Sequence, residues 1–276
     1  MHTMVDIDAA IGFVVARGDA VDRARMNWLR AGIAPQEDAY SSLEMGQTPS
    51  GGWPAHWGDE VASIDATCFR LAELDDVGGL TRPAAVRALD WLANRQRPDG
   101  FWEEDRSLAA SAPKWARPGD VEARFYLTTH AAFWLSAAAA DAVGPGIGLD
   151  PAATPFHHVL ELAGHAIRSS VEENGSWPGY LVSGWLAAAV LHRQAHFYES
   201  ARIAVRMAER VREMSAADVA SMAAALRRLG WSDQDSLLVA ARQRLKETQR
   251  PDGAWPSDDA PAFDVHTTLA GIRAIR

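Results

Sequence analysis

Residues 96–102 read "QRPDGFW", and residues 249–255 read "QRPDGAW". A tight turn accounts for the Pro-Asp-Gly, but not for the Gln and Trp that flank it. Extended backwards, the copies become "WLANRQRPDGFW" and "RLKETQRPDGAW". Both obey Leu-x3-Gln-x3-Gly-x-Trp, through Leu92, Gln96, Gly100 and Trp102 in one and Leu245, Gln249, Gly253 and Trp255 in the other. Two weaker echoes, "SGGWPAHW" (50–57) and "ENGSWPGY" (173–180), keep the glycine–tryptophan core. A unit written repeatedly implies an architecture that repeats.

Each copy stands between helix-like stretches. Period and breakers predict helices over 5–17, 19–32, 60–76, 82–95, 120–142, 154–172, 180–193, 196–213, 215–229, 232–249 and 263–275. No segment sustains the two-residue alternation of a strand. The helices are of two kinds. "ESARIAVRMAERVREM" and "SLLVAARQRLKETQ" are amphipathic, whereas "GYLVSGWLAAAVLH" carries no Asp, Glu, Lys or Arg. A helix apolar all round is buried all round. Alternation of the two kinds predicts an inner ring of helices wrapped by an outer one: an all-α, (α/α)6 barrel of about 11 helices in a single domain, 1–276. With 5–17 counted as inner, the last outer helix is missing. The connections 34–59 and 96–119 are long, and loops of that length are usually functional.

The repeat resembles the QW motif of squalene-hopene cyclases, oxidosqualene cyclases and their relatives; protein prenyltransferase β-subunits share that barrel and a related repeat. The resemblance runs from about residue 43 to the C-terminus and matches one barrel. The physics suits a structural staple. Gly100 and Gly253 are free to take positive φ. The amides of Gln96 and Gln249 can reach unpaired backbone groups at a neighbouring helix end. Trp102 and Trp255 cover the junction.

The totals narrow the partners. Of the 276 residues, 48% are hydrophobic, enough for a large core, and the formal charge is −9. No basic run invites nucleic acid or an anionic membrane. Cys68 is the only cysteine, so neither an intramolecular disulfide nor a multi-cysteine metal cluster is available. No apolar run reaches the roughly 18 residues of a membrane span. The expectation is a cytoplasmic protein.

Candidate chemistry lies where the inner helices begin. Residues 63–67 read "SIDAT", 120–124 "DVEAR" and 264–268 "DVHTT". In the class II terpene cyclases that the chain resembles, this place carries Asp-x-Asp-Asp-Thr, whose middle acid protonates an alkene or epoxide. The middle position here is Asp65, Glu122 or His266, and no copy is complete. The resemblance therefore implies Asp65 as acid, followed by Thr67 as in the family pattern, with Glu122 and His266 assisting. A lone carboxyl has a pKa near 4, and burial raises it, which suits an epoxide, enol or allylic substrate better than an isolated alkene. The bland reading is that such acids cap helices, and it is the expectation for Asp120 and Asp264.

Aromatic faces that steady cations or line a lipid-like pocket are offered by Trp57, Trp115, Tyr126, Tyr180 and Trp185, with Cys68 beside Asp65 on one helical face. The prenyltransferase resemblance implies an alternative: zinc held by Asp65, Cys68 and His266, although "DATC" has one residue too many for that pattern. A third possibility is a non-catalytic barrel that binds a hydrophobic ligand or a partner protein. The leading expectation is an enzyme that cyclises or isomerises a hydrophobic, isoprenoid-like substrate without a cofactor or metal. The oligomeric state is not legible.

Overall fold

The computed structural model describes residues 4–58, 60–143 and 154–276. Among them run twelve α-helices: α1 (Ile7–Arg17), α2 (Ala20–Ala31), α3 (Glu37–Glu44), α4 (Ile64–Asp75), α5 (Pro83–Asn94), α6 (Val121–Val143), α7 (His157–Ser170), α8 (Leu181–Arg193), α9 (Phe197–Arg210), α10 (Ala216–Arg228), α11 (Ser236–Thr248) and α12 (Asp264–Ile275). The one strand pair among the described residues is two residues long, Trp53–Pro54 antiparallel to Ala62–Ser63. No helix among the described residues is long and apolar enough to cross a membrane.

Burial sorts the helices into two rings. α8 buries every residue from Ser183 to Leu191, whereas α9 buries only Ser200, Ile203 and Met207. All six even-numbered helices contribute side chains to a central cavity, from Arg25 on α2 to His266 on α12. They form the inner ring, and the odd-numbered helices wrap it. The expected all-α barrel is therefore present, with two corrections.

The segment 5–17 is an outer helix. α1 buries only Ala10 and Val14, and none of its residues lines the cavity. Its apolar run "AIGFVVA" mimics an inner helix, yet Val15 is 53% exposed. The inner place belongs to α2. The second correction lies in the expected loop 34–59, where α3 supplies a further outer helix. Eight residues make about two turns, too few to display a period. With α1 and α3 outside, the outer ring has six members and no gap.

The repeat ties this ring together. Gln96 Nε2 donates to Gly100 O (3.1 Å) and to Val159 O at the start of α7 (2.9 Å). Gln249 Nε2 donates to Gly253 O and Asp6 O, and its Oε1 accepts from Asp6 N at the cap of α1 (2.8 Å). The C-terminal copy thus closes the ring onto the N-terminal helix. Trp102 Nε1 donates to Leu92 O and Trp255 Nε1 to Leu245 O, while their backbone N–H groups donate to Thr128 Oγ1 and Thr268 Oγ1 of the next inner helices. Both indoles are fully buried, which stabilises each junction by roughly 4–6 kcal/mol as an upper estimate.

The structure also reveals a third complete copy. Leu43, Gln47, Gly51 and Trp53 keep the same spacing, Gln47 Nε2 donates to Ala84 O at the start of α5, and Trp53 N donates to Thr67 Oγ1. In the fourth, Val171 stands where the glutamine would be. Gly51, Gly100, Gly175 and Gly253 all have positive φ, between 82° and 108°. A Cβ at any of them would lie 2.4–2.7 Å from a carbonyl oxygen of the following outer helix, so the glycine is required twice over.

Candidate active site

α4 starts under an unusual cap. Ser63 Oγ accepts from Ala66 N (3.2 Å), as a helix cap should. Glu104, in the loop after Trp102, adds a carboxylate over the same helix end. It accepts from Ser63 Oγ (2.7 Å), Ile64 N (2.9 Å) and Asp65 N (3.0 Å). Unpaired N–H groups and the positive end of the helix favour an anion there. Burial nevertheless pushes the Glu104 carboxyl up, against those three donors.

Asp65 follows in the first turn and is 4% exposed. Its Oδ1 accepts from Tyr126 Oη (2.9 Å) and its Oδ2 from Trp115 Nε1 (3.1 Å). Burial raises its pKa; the Tyr126 and Trp115 hydrogen bonds and nearby His56 only partly oppose this. Tyr126 itself is held well above the ordinary tyrosine value by burial and by Asp65, so it remains a neutral donor.

Asp65 opens onto a cavity of about 670 Å³ at the barrel mouth, walled by Trp57, Trp115, Tyr180 and Phe69 among others. A second cavity, of about 560 Å³, occupies the barrel lumen. Phe69, Glu73, Tyr126 and Val182 border both, so the two lie side by side. Each has the size of a small-molecule site. The lumen has an aromatic wall made by Tyr126, Phe133, Trp134 and Trp185, and an ionic wall containing Arg25, Glu73, His266 and Arg273.

The far end of the lumen is tied by charge. Asp75, at the end of α4, accepts from Arg228 Nε and Nη2 (3.0–3.1 Å) and from Arg273, while Arg228 also holds Asp141 (2.7 Å). Arg273 also bonds Asp76. Burial pushes Asp75 up, but Arg273 and Arg228 outweigh it and hold the carboxyl below its usual value.

The sequence-selected residues divide accordingly. Asp65, Trp57, Trp115, Tyr126 and Tyr180 meet at the mouth, and Trp185 lines the lumen. Three other expected site residues do not line the mouth cavity with Asp65. Glu122 lines neither cavity; its partly exposed carboxylate pairs with Lys114 Nζ at 3.1 Å. His266 borders the lumen, but its Nε2 faces Asp22 Oδ1 at 3.4 Å on the ionic wall, and that contact raises its pKa. Cys68 is fully buried and borders neither cavity, with its thiol pushed well up by desolvation. Among the described residues, no three His, Cys, Asp or Glu side chains are grouped to hold a metal ion.

Asp120 caps its helix as expected, whereas Asp264 opens α12 without capping any of its N–H groups. Asp120 Oδ1 accepts from Ala123 N, and Asp264 accepts from Ser257 N and pairs with Arg250. Glu104 escaped the sequence reading. Its signal was present in "DGFWEED", two residues beyond a repeat tryptophan.

Solved structures, type II terpene cyclases among them, match this all-α fold. The chain is 19% identical to a protein from Actinoplanes, over 98% of this chain and 97% of that one, with a TM-score of 0.61. It is 16% identical to a variant of the type II terpene cyclase MstE from Scytonema in complex with geranylgeranyl dihydroxybenzoate as substrate, over 98% and 95% of the two chains, with a TM-score of 0.60. A complex of another MstE variant with merosterolic acid A as product gives 16%, 98%, 94% and 0.60. No protein-family model matches the sequence.

Proposed function

We propose that the chain is an enzyme of the terpenoid-cyclase type, acting on a hydrophobic, isoprenoid-like molecule inside the barrel, with Asp65 as the acid. The observation that carries this reading is a buried carboxyl, shifted toward its protonated form, that lines a mouth cavity beside an aromatic-walled lumen. Tyr126 and Trp115 fix the carboxyl from two sides and leave its remaining face to the mouth cavity. Protonation of an alkene, epoxide or enol by Asp65 starts cyclisation or isomerisation, and the proton is returned when the product cation loses one. Trp57, Tyr180 and Phe69 offer aromatic faces to the developing positive charge. A group held nearer neutrality transfers protons in both directions more readily at physiological pH.

The zinc-transferase alternative gains no support, because Cys68 is sealed in the core and His266 is engaged by Asp22. The test is Asp65→Asn, assayed on prenylated aromatics beginning with geranylgeranyl dihydroxybenzoate. Turnover should fall by a factor on the order of 100 or more with an unchanged melting temperature. Turnover kept within a few-fold removes Asp65 from the chemistry.

A further inference from the structure

Two side chains that border the lumen each carry a buried polar atom with no partner among the described residues. Trp134 lines the lumen, is 5% exposed, and its Nε1–H bonds to nothing among the described residues. His130 lines the same wall, and its Nδ1 is likewise unpaired. A buried donor without an acceptor is costly, and native proteins seldom leave one unmet. Here two stand one helical turn apart on α6 and border the same cavity. The helix rise puts His130 about 6 Å and Trp134 about 12 Å deeper along α6 than Tyr126, the residue that bonds Asp65. Tyr126, His130 and Trp134 thus form a line from the acid into the lumen.

We infer that the lumen holds a ligand whose buried end carries a neutral oxygen, an alcohol or carbonyl, accepting from Trp134 Nε1–H and bonded to His130 Nδ1. This rests on the proposed reading that the lumen is the ligand chamber. A hydrocarbon end would leave both groups unmet. An anionic end finds no free cation among the described residues of the lumen. Burial brings His130 to a pKa of about 4, so its imidazole is neutral, and Arg25, Arg228 and Arg273 are already engaged by Glu73, Asp75, Asp76 and Asp141. A neutral imidazole suits either oxygen, because Nδ1 accepts from a hydroxyl in one tautomer and donates to a carbonyl in the other. Phe69 and Phe133 supply apolar surface for the rest of the molecule.

The test compares two probes by direct binding to the whole chain: farnesol, and the same hydrocarbon with hydrogen in place of the hydroxyl. The wild-type protein should bind farnesol tighter by about tenfold, the factor one well-made buried hydrogen bond supports. Trp134→Phe keeps an aromatic ring and removes the donor, so the preference should vanish or reverse. His130→Phe should weaken it and serves as the second variant if Trp134→Phe does not fold. Asp65→Asn should keep the preference, which separates this inference from the fate of the proposed chemistry. Equal binding of the two probes by wild type, no binding of either, or a preference unmoved in both lumen variants overturns it.

Discussion

The two ends of α4 each carry a pair of acids and hold them with opposite kinds of partner. At its start, Asp65 and Glu104 are held by neutral donors: a tyrosine, a tryptophan, a serine and two backbone N–H groups. At its end, Asp75 and Asp76 are met by Arg228, Arg273 and Arg25. Burial acts on both ends: Asp65 and Glu104 move up, Asp75 moves down under its two arginines, and Asp76 still moves up because desolvation outweighs Arg273 and Arg25. A matched carboxylate is a fixed anion that ties helices together. A desolvated carboxyl without a cation leans toward its protonated form, and perturbation of that kind beside a cavity marks candidate chemistry. Charge neutralisation at one end of the helix closes the barrel, and its absence at the other leaves an acid.

The contrast breaks first at its ionic end. Arg273→Met takes one cation from both Asp75 and Asp76, leaving Asp75 to Arg228 and Asp76 to Arg25 at 3.9 Å, and should destabilise the protein by about 3–5 kcal/mol, measured by denaturant unfolding. Asp65→Asn, at the other end, should change stability by less than about 1 kcal/mol. Equal losses from the two would erase the distinction. A smaller effect concerns the ring that holds both ends in place. Gln249→Ala should cost about 1–3 kcal/mol, because it frees the backbone of Asp6 on both its N–H and C=O sides. Gln96→Ala, which releases only carbonyls, should cost less. If the order is reversed, the N-terminal helix is not what closes the barrel.

The fold was legible because its decisive features are local. Gln, Gly and Trp at fixed spacing, and charge-free helices alternating with amphipathic ones, state the two rings directly. What failed was counting. α3 is too short to show a period, the copy at Leu43, Gln47, Gly51 and Trp53 shows in the sequence reading only as its glycine–tryptophan core, and α1 resembles an inner helix in composition while lying outside. Half of the site was legible too. Asp65 could be found by aligning helix starts, and Trp115 and Tyr180 by their place in mouth loops. Glu122 and His266 share its repeat position, but equivalent positions on different inner helices point to different neighbours: one meets Lys114 and the other Asp22. The partners of Asp75 come from residues more than 150 positions away, and no local pattern announces them.

The most direct measurement is a carboxyl titration of the folded protein by carbon-13 NMR, with Asp65 and Asp75 assigned through their Asn variants. Asp65 should titrate above the ordinary aspartate value of about 3.9 and Asp75 below it. The linked stabilities have opposite signs. The contribution of Asp75 is present above the unfolded value and lost as pH falls through its lowered pKa. That of Asp65 is present below the unfolded value and lost as pH rises through its raised pKa. Two carboxyls moving apart from the ordinary value would support an acid at one end of α4 and an ionic closure at the other. Both titrating on the same side of it would contradict that division.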